Sequence, residues 1–575
     1  MASTSCKRTV QATDPGFQKI VLRWYNEPVS EDAESNSDDS SHEADQPHIV
    51  IIIADDLGWN DVGFHGSDQI PTPNLDALAY NGIILNSHYV QPSCTASRAA
   101  LLTGKYPVRY GLQGSSLSPA EPVSLPQGKL LPEYMKDLGY NTHLIGKWNL
   151  GYAHWNDTPI YRGFDYHFGF YNTHVSYYDY LTTWKINDKT YTGFDLRQNT
   201  QPAWEFAGKY ATDVFTNHAI NTIHSHDHNK PLFMVMSHLA VHSANPGKLL
   251  EAPQETIDKF KYITDSNRRT YAAMVSKLDE SVGLIVEALE TESMLQNSII
   301  LFFSDNGAPT IGSDLNWGSN YPLKGVKNTV FEGGIRSSSF IWSPLVVQNQ
   351  RVSNELIHIT DWLPTLYSAA GGDIALLDPA LDGLDQWSSL VYDLASPRAD
   401  MLININDVER TAGVRFHNWK LLLGVPISPA FDNHLGESGK NVIYELKYNV
   451  SAVAQSPAAK SLEKVSFSTA TAEEYRVYRS LATIRCAHSK GQKNPCDLAS
   501  GAVCLYDIPR DACEENNLAK YFPNVVRSMK RALIEYKSGS QSQINQKPDI
   551  EKDDPKLFQY TWNPWLDCAD VTCTA

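Results

Sequence analysis

Residues 48–56 read HIVIIIADD, an unbroken apolar run that closes on two aspartates. A short run without polar alternation predicts a strand buried on both faces. TPNLDALAYNG follows at 72–82 and predicts a helix, with Thr72 as N-cap, Pro73 at the first helical position and Gly82 as the stop. The alternation continues from there. LPEYMKDLGY predicts a helix and NTHLIGK a strand, then ATDVFTNHAINTIHSH a helix and PLFMVMSHLAVH another buried strand. Tyr271, Met274, Val275, Leu278, Val282, Ile285 and Leu289 recur at helical spacing over 268–290. SIILFFSDNG and SSSFIWSP predict two further strands, and ITDWLPTLYSAAGG a capped helix with a glycine stop. Strands and helices in this order predict an α/β fold, a large and mostly parallel sheet with helices on both faces.

The pattern changes near residue 395. MLININ, GVRFHNWKLLLG and a cysteine-rich stretch predict short strands, with one late helix around VVRSMKRALIEY. This reads as a smaller α+β unit. Residues 25–47, YNEPVSEDAESNSDDSSHEADQP, are acidic and serine-rich with few large apolar groups, which predicts a solvated, disordered tail. The expected organisation is an acidic tail over 1–47, an α/β domain over 48–395 and an α+β domain over 396–575. A length of 575 residues suits two folded units.

With 42% hydrophobic and 20% charged residues the composition is globular. The formal net charge of −17 offers no basic stripe for nonspecific nucleic-acid binding. It leaves room for an anionic small substrate, because one pocket can be locally positive. No apolar run reaches the ~18 residues of a membrane span. The opening residues, MASTSCKRTVQATDPGFQK, lack the apolar centre of a secretory signal; on that ground the chain is cytosolic, or a matured or shortened product. The cysteines argue the other way. Cys486, Cys496, Cys504, Cys513, Cys568 and Cys573 crowd together near the end of the chain. Local pairs such as Cys504–Cys513 are the simplest reading, and they imply an oxidising compartment. Zinc is the rival reading, but the C-x2-C spacing it favours is absent. NDT at Asn156 and NVS at Asn449 are glycosylation acceptors.

In open α/β sheets ligands gather at the carboxyl ends of strands. Here those ends carry Asp55-Asp56, Lys147, His242 and Asp305-Asn306. Asp55, Asp56, Asp305 and Asn306 are hard oxygen donors, suited to Ca2+ or Mg2+ and not to a soft metal. A single strand-end aspartate is usually a turn or helix cap; oxygen donors at two strand ends weaken that reading. A dication with Arg98, Lys147, Lys327 and His242 at one edge can hold a tetrahedral oxyanion and stabilise charge that develops on it. Cys94 heads the helix ASRAALLTG, whose N-terminus favours negative charge, and a nucleophile belongs there. These residues point to metal-assisted hydrolysis of a sulfate or phosphate ester centred on Cys94.

From His48 onward the chain resembles the sulfatases, in the arylsulfatase B-like branch of the alkaline-phosphatase-like superfamily. The likeness lies in ADDLGWNDVGFHG, TPNLDALAYNGI, CTASRAALLTGKYP, GYNTHLIGKWNLG, FFSDNG, PLKGVKNTVFEGGIR, HITDWLPTLYSAAGG and CLYDIPRDACEENNL. In that family the cysteine of C-x-P-x-R is oxidised to formylglycine by a dedicated enzyme in the endoplasmic reticulum. The formylglycine hydrate attacks sulfur, the alcohol leaves, and the sulfated hemiacetal collapses to release sulfate. The resemblance implies that Cys94 is the modified residue. It implies one Ca2+ held by Asp55, Asp56, Asp305, Asn306 and the modified Cys94. It gives Arg98 the role of bracing the hydrate, Lys147 and Lys327 that of holding sulfate, and His242 that of contacting sulfate and protonating the leaving oxygen. It implies a sulfated small molecule or sugar sulfate as substrate, the formylglycine-generating enzyme as a maturation partner, and a secreted or lysosomal location.

Two positions depart from the family pattern. Ala96 stands where C-x-P-x-R has proline, which fixes φ; alanine loosens the extended segment the modifying enzyme must read. Asn149 stands where GKWHLG has histidine. That histidine helps deprotonate the hydrate, whereas an amide takes no proton near neutral pH. Two readings follow: a calcium-dependent sulfatase of reduced turnover, or a pseudo-sulfatase that binds a sulfated ligand without hydrolysing it. A phosphoesterase built on the same metal site is a third.

Overall fold

The computed structural model describes residues 46–567, apart from 187, 427–428, 440–445, 467 and 487–493. Ten strands form the large sheet: β1 His48–Ala54, β2 Ile83–Leu85, β3 Asn141–Lys147, β4 Tyr166–Phe170, β5 Arg197–Gln198, β6 Gln201–Pro202, β7 Leu232–Ser237, β8 Ser298–Ser304, β9 Ser339–Trp342 and β10 Arg351–Ser353. Their order across the sheet is β10-β2-β9-β8-β1-β7-β3-β4-β5-β6. The central strands β8, β1, β7, β3 and β4 run parallel. Antiparallel pairing appears towards the edges, at β8–β9, β9–β2, β4–β5 and β5–β6. The SSSFIWSP strand is one of these antiparallel strands.

The apolar run of β1 explains why it sits in the middle. Ile49, Ile51 and Ile53 pack into one core and Val50, Ile52 and Ala54 into another, so neither face tolerates a polar residue. The second core holds the helices Pro73–Asn81, Ala211–His224 and Ser266–Thr291. The first holds Cys94–Thr103, Leu131–Asp137 and Trp362–Ala369. Burying one such isoleucine contributes about 1.5–3 kcal/mol, so a rigid β1 carries Asp55 and Asp56 at its end.

Four antiparallel strands form the smaller sheet, in the order β11 Asp400–Asn406, β12 Thr411–Phe416, β13 Trp419–Gly424 and β14 Cys504–Asp507. The helix Pro523–Ser538 packs on it through Met529 and Leu533. Other parts of the chain beyond 395 return to the large layer. The helices Val450–Ala454, Pro457–Val465 and Ala472–Ala482 join the core around Ser266–Thr291, and residues from Ile550 to Trp565 join the opposite one. The described residues from 46 to 567 together form one compact unit. Most of the acidic tail, and the cysteines Cys568 and Cys573, lie outside the described residues.

Two disulfides are present among the described residues, Cys486–Cys513 and Cys496–Cys504. The expected Cys504–Cys513 pair does not form. β14 runs out from Cys504 for roughly 10 Å at the usual strand rise, and Cys513 follows the turn beyond its far end. Each sulfur instead meets a partner upstream. Asn156 and Asn449 are both exposed. No helix is long and apolar enough to cross a membrane among the described residues.

Candidate active site

Strand ends build most of the site. Asp55 and Asp56 follow β1, Lys147 closes β3, and Asp305 and Asn306 follow β8. Gly146 gives Lys147 its position: its φ is +103°, and any Cβ there would run into the Ser237 carbonyl on the neighbouring strand. His242 is a correction. The strand containing PLFMVMS stops at Ser237, and His242 lies five residues later on a buried loop through Leu239, Ala240 and Val241.

Cys94 is the first residue of the helix Cys94–Thr103, with Ser93 at the N-cap. Arg98 follows one turn later, so both side chains project from the same face. Cys94 to Arg98 is helical in the folded chain, and the expected helix begins at Cys94 itself. The stretch stays buried throughout.

The side chains converge on one another. Arg98 grips Asp305 Oδ2 through Nε and Nη2, at 3.1 and 2.8 Å, and its Nη1 donates to Ser237 Oγ. Lys147 Nζ donates to Asp55 Oδ2 at 2.7 Å, and Lys327 Nζ to Asp56 Oδ2 at 2.9 Å. The Asn306 amide donates to Asp56 Oδ1 at 2.5 Å. Asn149 Nδ2 donates to Cys94 Sγ at 3.1 Å, and Ser116 Oγ lies 2.9 Å from the same sulfur. Ligand atoms of Asp55, Cys94 and Asp305 all fall within 4.8 Å of one another, as do those of Asp55, Asp56 and His242.

Three buried carboxylates thus face three buried cations. Burial, and then the charge of neighbouring carboxylates, pushes Asp56 and Asp305 above the usual carboxylate range, while Lys327 and Arg98 pull them back. Asp55 Oδ1 and Asn306 Oδ1 are buried without any hydrogen-bond partner. Two oxygen acceptors orphaned in one anionic, all-oxygen cradle fit a hard cation, which would satisfy both.

His242 is neutral. Burial, then Lys327 and Lys147, hold its pKa well below the usual histidine value. Its Nδ1 lies 2.6 Å from the Ser243 carbonyl, so Nδ1 carries the hydrogen; Nε2 keeps the lone pair and accepts from Lys327 Nζ at 3.1 Å. The His174 ring stacks on it with centroids 5.7 Å apart.

All ten expected residues gather at this edge. Four neighbours were not expected: Ser116, Ser237, His174 and Asn316, whose amide donates to the Asp56 carbonyl at 2.9 Å. Ser237 was findable, since it is the true end of β7 and the strand-end rule applies to it. The other three sit on loops that carry no pattern.

A family model described as Sulfatase matches residues 47–372. Arylsulfatase J of Mus musculus is 35% identical over 546 residues, which cover 90% of this chain and 80% of that protein. N-acetylgalactosamine-6-sulfatase of Homo sapiens is 31% identical over 366 residues, 60% of this chain and 66% of that protein. Among solved structures, Ps i-CgsB in complex with k-i-k-neocarrahexaose aligns with a TM-score of 0.66 at 25% identity, covering 89% of this chain and 97% of that one. The family model spans more than half of the chain and the arylsulfatase J alignment nearly all of it. The chain belongs to the sulfatase family, hydrolases of sulfuric esters.

Proposed function

We propose that this chain is a calcium-dependent sulfatase acting on a sugar sulfate, with Cys94 at the centre of the reaction. The observation that carries the reading is the pair of orphaned oxygens, Asp55 Oδ1 and Asn306 Oδ1, together with the cluster of Asp55, Asp305 and the Cys94 sulfur. Asp55, Asp56, Asp305, Asn306 and the modified Cys94 would hold one Ca2+, which supplies Lewis-acid polarisation of a sulfate oxygen. Oxidation of Cys94 by the formylglycine-generating enzyme would supply a hydrated aldehyde as the nucleophile.

The remaining work falls to fixed side chains. Arg98 holds Asp305 and sits one helical turn from Cys94, so it braces both. Lys147 and Lys327 present ammonium groups to the sulfate oxygens. Charge decides why these groups suffice. The carboxylates and cations of the site balance, so an added dication leaves a positive surplus that attracts the singly charged sulfate ester. Lys327 Nζ donates to the Nε2 of neutral His242 across 3.1 Å, which holds the imidazole at the site, where it would contact the sulfate and could relay a proton to the leaving oxygen. Asn149 orients the group at position 94 through its amide but takes no proton. The sugar class is supported by the neocarrahexaose held by the structural relative. The disulfides favour a secreted or lysosomal location. We assign the site to a catalytic region over 48–395 and the smaller sheet to a C-terminal region over 396–575.

Asn149 and Ala96 favour a second reading, a calcium-binding protein that retains a sulfated sugar unhydrolysed. One experiment separates them. The chain is expressed behind a secretion signal, the mass of the Cys94 peptide is measured, and aryl sulfate is compared with aryl phosphate. Formylglycine at 94 with sulfate turnover is the expected result. An intact thiol with tight sulfate binding would establish the binding protein, and preferred phosphate turnover the phosphoesterase.

A further inference from the structure

A second cavity, of about 230 Å3, adjoins the site. Its lining starts where the site's own residues stop: Pro92 lies two residues before Cys94, Asn328 follows Lys327, and Ser115 precedes Ser116. Hydrogen bonds fix these junctions. Ser93 Oγ donates to the Gly114 carbonyl at 2.9 Å, and the Asn328 N–H to the Pro92 carbonyl at 2.7 Å. The smaller sheet supplies another part of the wall through Asn404, Asn406, Glu409 and Thr411.

The chemistry of this cavity is the opposite of its neighbour's. Amides and hydroxyls line it together with the carboxylates of Glu409 and Asp432, and no lysine or arginine does so among the described residues. Lys324 acts on Asp432 electrostatically but stands outside the lining, with its ammonium over the Phe331 ring. Glu409 is half-buried and forms no ion pair among the described residues. Gln113 is 3% exposed; its amide donates to the Gln541 carbonyl at 3.0 Å, while its Oε1 is buried with no partner. A lining of amides, hydroxyls and carboxylates suits a ligand rich in hydroxyls.

We propose that this cavity holds the sugar ring next to the sulfated one, and that it selects an uncharged ring. A hydroxyl can donate to the carboxylates of Glu409 and Asp432 and accept from amides of the lining. A sulfate or uronate there would meet Glu409 and Asp432 with no cation in the lining, and at Glu409 with no ion-pair partner among the described residues. The inference rests on the sugar-sulfatase reading and narrows it. The preferred substrate carries its ester beside a ring without sulfate or carboxylate.

The test uses galactose disaccharides bearing one sulfate, and the same disaccharides with a second sulfate on the other ring. Affinities are measured by calorimetry on the full chain with calcium, alongside hydrolysis of an aryl sulfate. The wild type is expected to bind the monosulfated set roughly tenfold more tightly, the order set by one charge contact in a half-buried site. Glu409→Lys is expected to erase or invert that ratio, and Glu409→Gln to give an intermediate one. Equal or tighter binding of the disulfated set by the wild type, or a ratio indifferent to both substitutions, would overturn the proposal. Failure to bind either set while aryl sulfate is still hydrolysed overturns the subsite alone. Loss of both binding and hydrolysis overturns the sugar-sulfatase reading and the subsite with it.

Discussion

Asn149 reaches the Cys94 sulfur from a left-handed backbone position, φ 54°, a region that asparagine and histidine both enter more readily than most residues. Asn149→His therefore keeps the reach and adds a group that titrates near neutrality. Turnover of an aryl sulfate is expected to rise by about 10², the lower end of what a general base contributes, with KM little changed. A fall in kcat would mean that the amide does something a base cannot. Ala96 is the companion position. It lies in the first helical turn, where N–H groups have no intrahelical acceptor, so proline removes no helix hydrogen bond. Ala96→Pro is expected to raise the fraction of formylglycine at 94 in secreted protein, read as a mass ratio, and to leave the unfolding temperature nearly unchanged. An unaltered ratio would remove Ala96 from the account of maturation.

At the scale of elements, one buried ion network ties the smaller sheet to the large layer. Lys420 of β13 lies 2.9 Å from both Glu332 and Glu514, and Glu332 also binds Tyr89 and Arg336. Glu332 stands five residues after Lys327, so the network steadies the segment that carries a candidate sulfate ligand. Lys420→Met strands two buried carboxylates and is expected to cost about 3–5 kcal/mol in urea unfolding. Burial raises Glu514 from its ordinary value to about 7, with Glu332 adding to the rise and Lys420 opposing it. A carboxyl raised on folding contributes stability below its unfolded value, and loses it as pH climbs to the folded one. Glu514→Gln is therefore expected to gain stability relative to wild type between pH 5 and pH 8, checked by unfolding at both. A constant difference would contradict the assignment.

Elements also explain what was legible beforehand. Asp55, Asp56, Asp305 and Asn306 could be read because buried parallel strands are continuous apolar runs whose ends are visible. The position of His242 could not, because Leu239, Ala240 and Val241 are as apolar as the strand they follow and lie buried outside it. The disulfide partners of Cys504 and Cys513 depend on distances between loops, which spacing does not encode. The return of Val450–Ala454, Pro457–Val465 and Ala472–Ala482 to the large layer was hidden for a similar reason. An amphipathic stretch declares an apolar face but not the partner it covers.

For the whole molecule the governing quantity is charge. A chain of net −17 attracts a sulfate ester only where its own cations prevail. At the site those cations are already matched by Asp55, Asp56 and Asp305. On this account the metal creates the attraction, so chelation is expected to weaken binding of inorganic sulfate by tenfold or more, on the order of one charge contact. Undiminished sulfate affinity in the chelated protein would show that the lysines suffice alone. The most direct measurement is calcium titration by calorimetry, on metal-stripped wild type and on Asp305→Ala. One calcium ion per wild-type chain is expected and none at this site in the variant, with both proteins folded by circular dichroism. Absence of binding by the wild type, or a variant that binds as well, would contradict it.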